Sequence, residues 1–193
     1  MLIAQPPPFE ATVAPVTREE LRGTYRPGCP VPPARLRTIH LNYWGFDGRT
    51  HDGALVVRDR VAGRVVVAFG RLYAARFPIR RMRPMSGYGG DDDASMAADN
   101  TSGFNCRFVE GTRRWSMHAY GEAIDVNTVE NPYVRGSRVS PPAGRRYVDR
   151  SSRRPGMAVA GGVLVRAFED AGWRWGGRWT GSRDYQHFST TGR

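Results

Sequence analysis

Two short stretches constrain this chain more than any other feature: SMHAYGEAIDVN at residues 116–127 and DYQHFS at residues 184–189. In the first, His118 and Asp125 stand seven positions apart in a run that is neither helical nor cleanly alternating, with Gly121 and small residues between them. His and Asp are good zinc ligands, and a hydrolytic zinc site typically uses three protein ligands and keeps a fourth position open. A third ligand is therefore needed from elsewhere. Of the four histidines, His40 and His51 fall in or beside an early hairpin pattern, whereas His187 lies in the second stretch and is the natural candidate. The fold would then have to return a residue near the C-terminus to the side of 118–125. Asp184, three positions before His187, is a carboxylate that can take a proton from water and return it to a leaving amine.

Each of these residues also has a plainer explanation. A histidine among aromatics is commonly a satisfied core or surface residue, Asp125 alone can be a turn former, and Asp184 can be a cap. The joint pattern weighs more, because S-x-H-x-x-G-x-A-x-D followed by D-x-x-H, with its His 62 residues past the Asp, fixes many positions at once. The run Asp91, Asp92, Asp93 lacks the regular spacing of a calcium loop and reads as a solvated loop.

The rest of the chain sets the frame. Its 193 residues suffice for one domain with a buried core, and 40% hydrophobic residues with five Trp, eight Tyr and eight Phe exclude disorder throughout. No apolar run has the length of a membrane span, and MLIAQPPPFE lacks the basic start and apolar centre of a signal peptide. The net charge of +11 invites a nucleic-acid reading, but all 29 basic residues are Arg, scattered in ones and twos instead of forming a stripe with interleaved aromatics. No nucleic-acid partner is expected. Cys29 and Cys106 allow one internal pairing, a disulfide in an exported protein or two free thiols in a cytosolic one.

Along the chain, residues 1–34 read as a Pro-rich extension, a strap with one short helical turn, and residues 35–193 as the domain that would carry the candidate zinc site. RLRTIHLNYW and GALVVRD read as two strands joined by FDGRTHDG. Val65, Phe69, Leu72 and Phe77 near helical spacing predict a helix ending just before Pro78. PIRRMRPM reads as a strand, 86–114 and 131–156 as long irregular loops, AVAGGVLVRAFEDAG as a core helix, and WRWGGRWTGSRDYQHFS as a closing hairpin. With no repeat and no βαβ rhythm, the fold class is α+β, a small antiparallel sheet with flanking helices.

Ser116, His118, Gly121, Ala123 and Asp125, with Asp184 and His187 downstream, resemble the signature of the zinc D-alanyl-D-alanine carboxypeptidases of peptidase family M15, a group that includes VanY-like enzymes and certain phage endolysins. The resemblance covers roughly residues 35–193, and NTSGFNCR at 100–107 is similar to a subgroup of bacterial members. It implies the α+β fold of the hedgehog and D-Ala-D-Ala peptidases, a Zn2+ ion on His118, Asp125 and His187, and Asp184 as general base. It also implies an upstream arginine that holds the polarised carbonyl or a substrate carboxylate, a task suited to a forked guanidinium. Arg107 is the preferred candidate and Arg83 the alternative, because this chain reads RMRPMSGYGG where many members carry S-G-Y-R. Ser116 would sit beside the metal and bond a ligand or the substrate. The implied substrate is a peptidoglycan stem peptide ending in D-Ala-D-Ala, which places the protein, a monomer by expectation, outside the cytoplasm. A stem-peptide endopeptidase and a non-catalytic zinc module that binds the wall are the alternative readings.

Overall fold

A computed structural model describes residues 6–192, so the first residues of the Pro-rich extension lie outside it. Three small antiparallel sheets and three helices make up the described residues, an α+β arrangement as expected. Strands β1 (Ala11–Pro15), β2 (Leu36–Trp44) and β3 (Thr50–Arg58) form the first sheet in that order. The hairpin expected from the alternating pattern is β2–β3, nine residues on each side, with Leu36 opposite Arg58. Inside the extension, β1 pairs with β2 from Ala11 opposite Leu41 to Pro15 opposite Arg37, so part of the strap is a sheet edge.

Helix α1 (Ala62–Ala74) buries Val65, Ala68, Phe69, Leu72 and Tyr73, one face of a 3.6-residue period. It stops three residues before Phe77 because Arg76 adopts the left-handed conformation, φ 50°, and the Phe77 amide donates back to Leu72 O at 2.9 Å. That is a Schellman-type stop, and Phe77 packs on the core from beyond it. The expected strand PIRRMRPM forms only isolated bridges, Trp44 to Pro78 and Met82 to Thr101. In place of a single irregular loop after it, the chain forms a 3-10 turn at Met85–Tyr88 and helix α2 (Asp92–Ala97), capped by Asp91, whose side chain accepts from Ala94 N at 3.0 Å.

Strands β4 (Ala123–Asp125), β7 (Arg174–Trp175) and β9 (His187–Ser189) form the second sheet in the order β4-β9-β7. Strands β5 (Tyr133–Arg135), β6 (Arg138–Ser140) and β8 (Arg183–Asp184) form the third, in the order β6-β5-β8, so the expected loop 131–156 contains a hairpin. The expected closing hairpin is the β7–β9 pair. Helix α3 (Val163–Glu169) packs on α1, with the Phe69 and Phe168 rings edge to face at 5.7 Å. Phe168 also stacks on Phe188 of β9 at 4.4 Å. The main core therefore reaches the strand that bears His187. A second apolar cluster gathers Leu21, Val31, Leu36, Val56, Phe104 and Cys106. Cys29 and Cys106 are joined in a disulfide with their Cα atoms 5.9 Å apart, which ties the N-terminal segment to that cluster.

Candidate metal centre

Three local structures converge on one point. Met117–Tyr120 is a 3-10 turn whose first amides are capped by Ser116, its hydroxyl accepting from His118 N at 3.3 Å. The turn closes at Gly121 with φ 65°, where a Cβ would meet Arg58 N at 2.7 Å, which accounts for glycine in the motif. The chain then enters β4, whose Asp125 lies opposite His187 of β9, while Ile124 and Phe188 beside them are paired and fully buried in the core. Alternation thus sends the apolar pair into the core and the polar pair to the other face.

His118, Asp125 and His187 are 3%, 6% and 5% exposed, and their ligand atoms all lie within 4.8 Å of one another. His118 Nε2 is 3.2 Å from Asp125 Oδ2 and 3.3 Å from His187 Nδ1, and His187 Nδ1 is 3.1 Å from Asp125 Oδ1. A tetrahedral ion with bonds of roughly 2.0–2.2 Å would hold its ligand atoms about 3.3–3.6 Å apart, so two nitrogens and an oxygen at 3.1–3.3 Å need to part by only a few tenths of an ångström to hold a metal ion. The His118 Nδ1–H donates to Gly103 O at 2.7 Å, which turns the Nε2 lone pair toward the cluster. Burial opposes ionisation of Asp125, but the His118 and His187 charges and hydrogen bonds outweigh it and hold the carboxyl well below its usual range.

Asp184 sits in β8 opposite Tyr133. The residue is half-buried, but its Oδ1 is fully enclosed and has no hydrogen-bond partner. Burial pushes its carboxyl up to about 7, against the pull of His187, His118 and Arg107. Gly176 backs this carboxylate: a Cβ there would lie 2.7 Å from Asp184 O, 3.0 Å from Asp184 Cβ and 3.2 Å from His187 Cβ. Trp179 flanks the centre, its ring centroid 5.4 Å from that of His187.

Of the two candidate arginines, Arg107 is half-buried and its Nη2 meets Asp92 Oδ2 at 2.8 Å. Asp92 in turn feels the charges of Asp125 and His118, and burial lifts its carboxyl against the pull of Arg107. Arg83 is exposed; its backbone exchanges hydrogen bonds with the Asn100 side chain, and its charge acts on Tyr43 of β2. Asp92, Gly176 and Trp179 also lie at the centre without a motif to announce them. Asp92 was hidden in an acidic run, and nothing local marks the other two. Glu122 lies inside the motif itself, with nothing local to mark it. It is 3% exposed and takes Arg58 and Arg60 at 2.8 Å each and Thr190 at 3.0 Å, clamping the start of β4 beside the end of β9.

Residues 110–190 match the family model described as D-alanyl-D-alanine carboxypeptidase. The match takes in Ser116, His118, Asp125, Asp184 and His187 and supports a member of peptidase family M15. No curated protein and no solved structure matches the chain.

Proposed function

Taking the chain as a family M15 peptidase, a hydrolase, we propose that it is a zinc-dependent D-alanyl-D-alanine carboxypeptidase that removes the terminal D-alanine from peptidoglycan stem peptides outside the cytoplasm. The observation that carries the reading is the buried triad of His118, Asp125 and His187 at 3.1–3.3 Å, with the enclosed, unpartnered Oδ1 of Asp184 in the neighbouring sheet. No helix among the described residues is long and apolar enough to cross a membrane.

In this proposal His118 Nε2, Asp125 and His187 Nδ1 hold the zinc, and Gly103 O and Glu122 keep the first ligand and the β4–β9 pair in register. Zinc supplies, when bound, a Lewis acid that polarises a carbonyl and acidifies water. Asp184 is the general base: its Oδ1 accepts a proton and later returns it to the leaving amine, and a carboxyl whose affinity for protons is raised by burial is suited to both tasks. Arg107 meets the negative charge that develops on the carbonyl oxygen, oriented by Asp92, because a guanidinium pinned on one side keeps its remaining donors aimed in one direction. Ser116 caps the turn of His118 through that residue's amide and, in this proposal, orients a ligand or the substrate. Arg83, exposed and bonded through its backbone to Asn100, is the lesser candidate for contact with the far end of the peptide.

The test is incubation of the zinc-loaded protein with a stem pentapeptide ending in D-Ala-D-Ala, followed by product mass analysis. Loss of one alanine supports the proposal. A cut inside the stem would make the protein an endopeptidase with the same centre, and one bound zinc without any cleavage would leave a wall-binding module.

A further inference from the structure

Building on the role given above to Arg107, we propose that the Cys29–Cys106 disulfide is a positioning device for that arginine, so that the N-terminal segment belongs to the reaction centre as well as to the scaffold. Residues 102–107 run along the metal centre as a backbone rail. Ser102 exchanges backbone hydrogen bonds with Asp125 at 3.0 Å in both directions. Gly103 O accepts from the His118 ring at 2.7 Å, and Asn105 N donates to His118 O at 3.1 Å. The rail is thus fixed by two of the ligand residues themselves. Cys106 is held from the other direction: its amide donates to Thr24 O at 3.1 Å and its sulfur is bonded to Cys29. Arg107 comes next, and after it residues 108–114 form a loop at the surface, closed at its neck by Ser116 N donating to Arg107 O at 3.1 Å. The anchoring point beside Arg107 therefore comes from the N-terminal segment.

That segment is itself secured. Leu21 and Val31 are buried with Phe104 and Cys106, and Trp115 packs on the same cluster. The guanidinium of Arg26 lies 5.8 Å from the ring centroids of both Phe108 and Trp115, on the two arms of the surface loop. On its own side, the Arg107 head has Asp92 at 2.8 Å and a long contact to Phe108 O at 3.4 Å, while its Nε is enclosed without a partner. Asp92 sets the direction of the head and the backbone sets where the side chain starts, so a shift of residue 107 moves the guanidinium against its one short ion pair. A disulfide that spans 77 residues also stabilises the fold by restricting the unfolded chain, but that effect alone does not touch Arg107 in the native state. A misplacement of 1 Å can cost on the order of a hundredfold in rate.

The experiment is a double-mutant cycle on the full zinc-loaded chain: wild type, Cys29→Ser, Arg107→Ala and the double variant, assayed well below their melting temperatures. Cys29→Ser should lower kcat/KM on the order of tenfold to a hundredfold, chiefly through kcat, with zinc content unchanged. In the Arg107→Ala background the same change should cost less than about twofold. No loss, or an equal loss in both backgrounds, overturns the proposal. Amide hydrogen exchange supplies a readout that needs no turnover. Exchange at Arg107 and Ser116 should accelerate in Cys29→Ser while that at Asp125 and His187 stays slow; unchanged exchange at Arg107 overturns the idea even if the wild type proves to cleave no stem peptide. Should Cys29→Ser not fold, the same exchange comparison is made on native protein before and after a phosphine has given its two electrons to the disulfide, and the same two outcomes decide.

Discussion

Asp125 and His187 are directly paired across the antiparallel β4–β9 strands, and His187 Nδ1 lies 3.1 Å from Asp125 Oδ1. Two strands of three residues each thus carry two of the three residues that could hold a metal ion, with His118 entering from the turn before β4. Ion binding should consequently stabilise the fold. With free zinc at a hundred times its dissociation constant, the gain should be about 2.7 kcal/mol, seen as a rise in melting temperature that a chelator reverses. In His187→Ala the rise should disappear, since one of the three proposed ligands is lost while the β4–β9 backbone pairing remains. A melting temperature of the wild type indifferent to both zinc and chelator would contradict the site.

Asp184 gives a pH signature. It accepts protons only when ionised, and burial raises its carboxyl to about 7 in the protein without metal. A cation on the nearby triad pulls in the opposite direction. Turnover should therefore fall as pH is lowered through an acid limb lying below 7. Asp184→Ala should keep its zinc and lose the general-base contribution, typically a hundredfold to ten-thousandfold in rate, as measured by steady-state assay with metal analysis. A variant with full activity would remove Asp184 from the reaction.

The His118, Asp125 and His187 cluster that could hold a metal ion is legible in the sequence because metal chemistry restricts residue type, and the motif around Gly121 fixes the turn that presents His118. Asp92 is not legible. Three aspartates in a row read as solvated, and only the packing of α2 beside 102–107 brings one of them to Arg107. Long elements follow their periodicity, as β2–β3 and the face of α1 do. Strands β5, β6 and β8 escape detection because two or three residues contain no period to read, and β8 becomes a strand only through its pairing with β5, about fifty residues away. The strand within the extension is missed for a similar reason: five residues ending in Pro15 become a strand only when β2 offers its edge.

Glu130 predicts a pH dependence of stability unrelated to catalysis. It is 1% exposed, has Oε2 without a partner, and is faced by Asp99, Arg80 and Tyr147. Burial, reinforced by Asp99, lifts its carboxyl from 4.5 to about 7. The folded state therefore prefers the protonated form: the stabilisation is complete below the unfolded value and is lost as pH rises toward and through 7. The loss should amount to about 2–3 kcal/mol in urea unfolding between pH 4.5 and 8. Glu130→Gln keeps the neutral shape and should be the more stable protein at pH 8, with the difference vanishing near pH 4.5. Parallel curves for the two proteins would exclude Glu130 as the source.

Gly176 predicts a separation of metal binding from catalysis. The 3-10 turn Gly176–Arg178 follows β7, and its first residue lies against both Asp184 and His187. An added methyl would meet the Asp184 carbonyl oxygen at 2.7 Å, a backbone atom with no rotamer to move to, so β8 must shift. His187 is better restrained, because β9 is paired on both sides and Phe188 is stacked in the core, whereas β8 is two residues long. The displacement should therefore fall mainly on the base. Gly176→Ala should cost about 1–3 kcal/mol in stability, retain zinc, and lose on the order of a hundredfold in kcat with little change in KM. Gly63→Ala, at a helix position with open space around it, is the control for a general glycine effect. If Gly176→Ala instead loses zinc in proportion to its loss of activity, the strain has passed into His187, and the division of labour between β8 and β9 argued here is wrong.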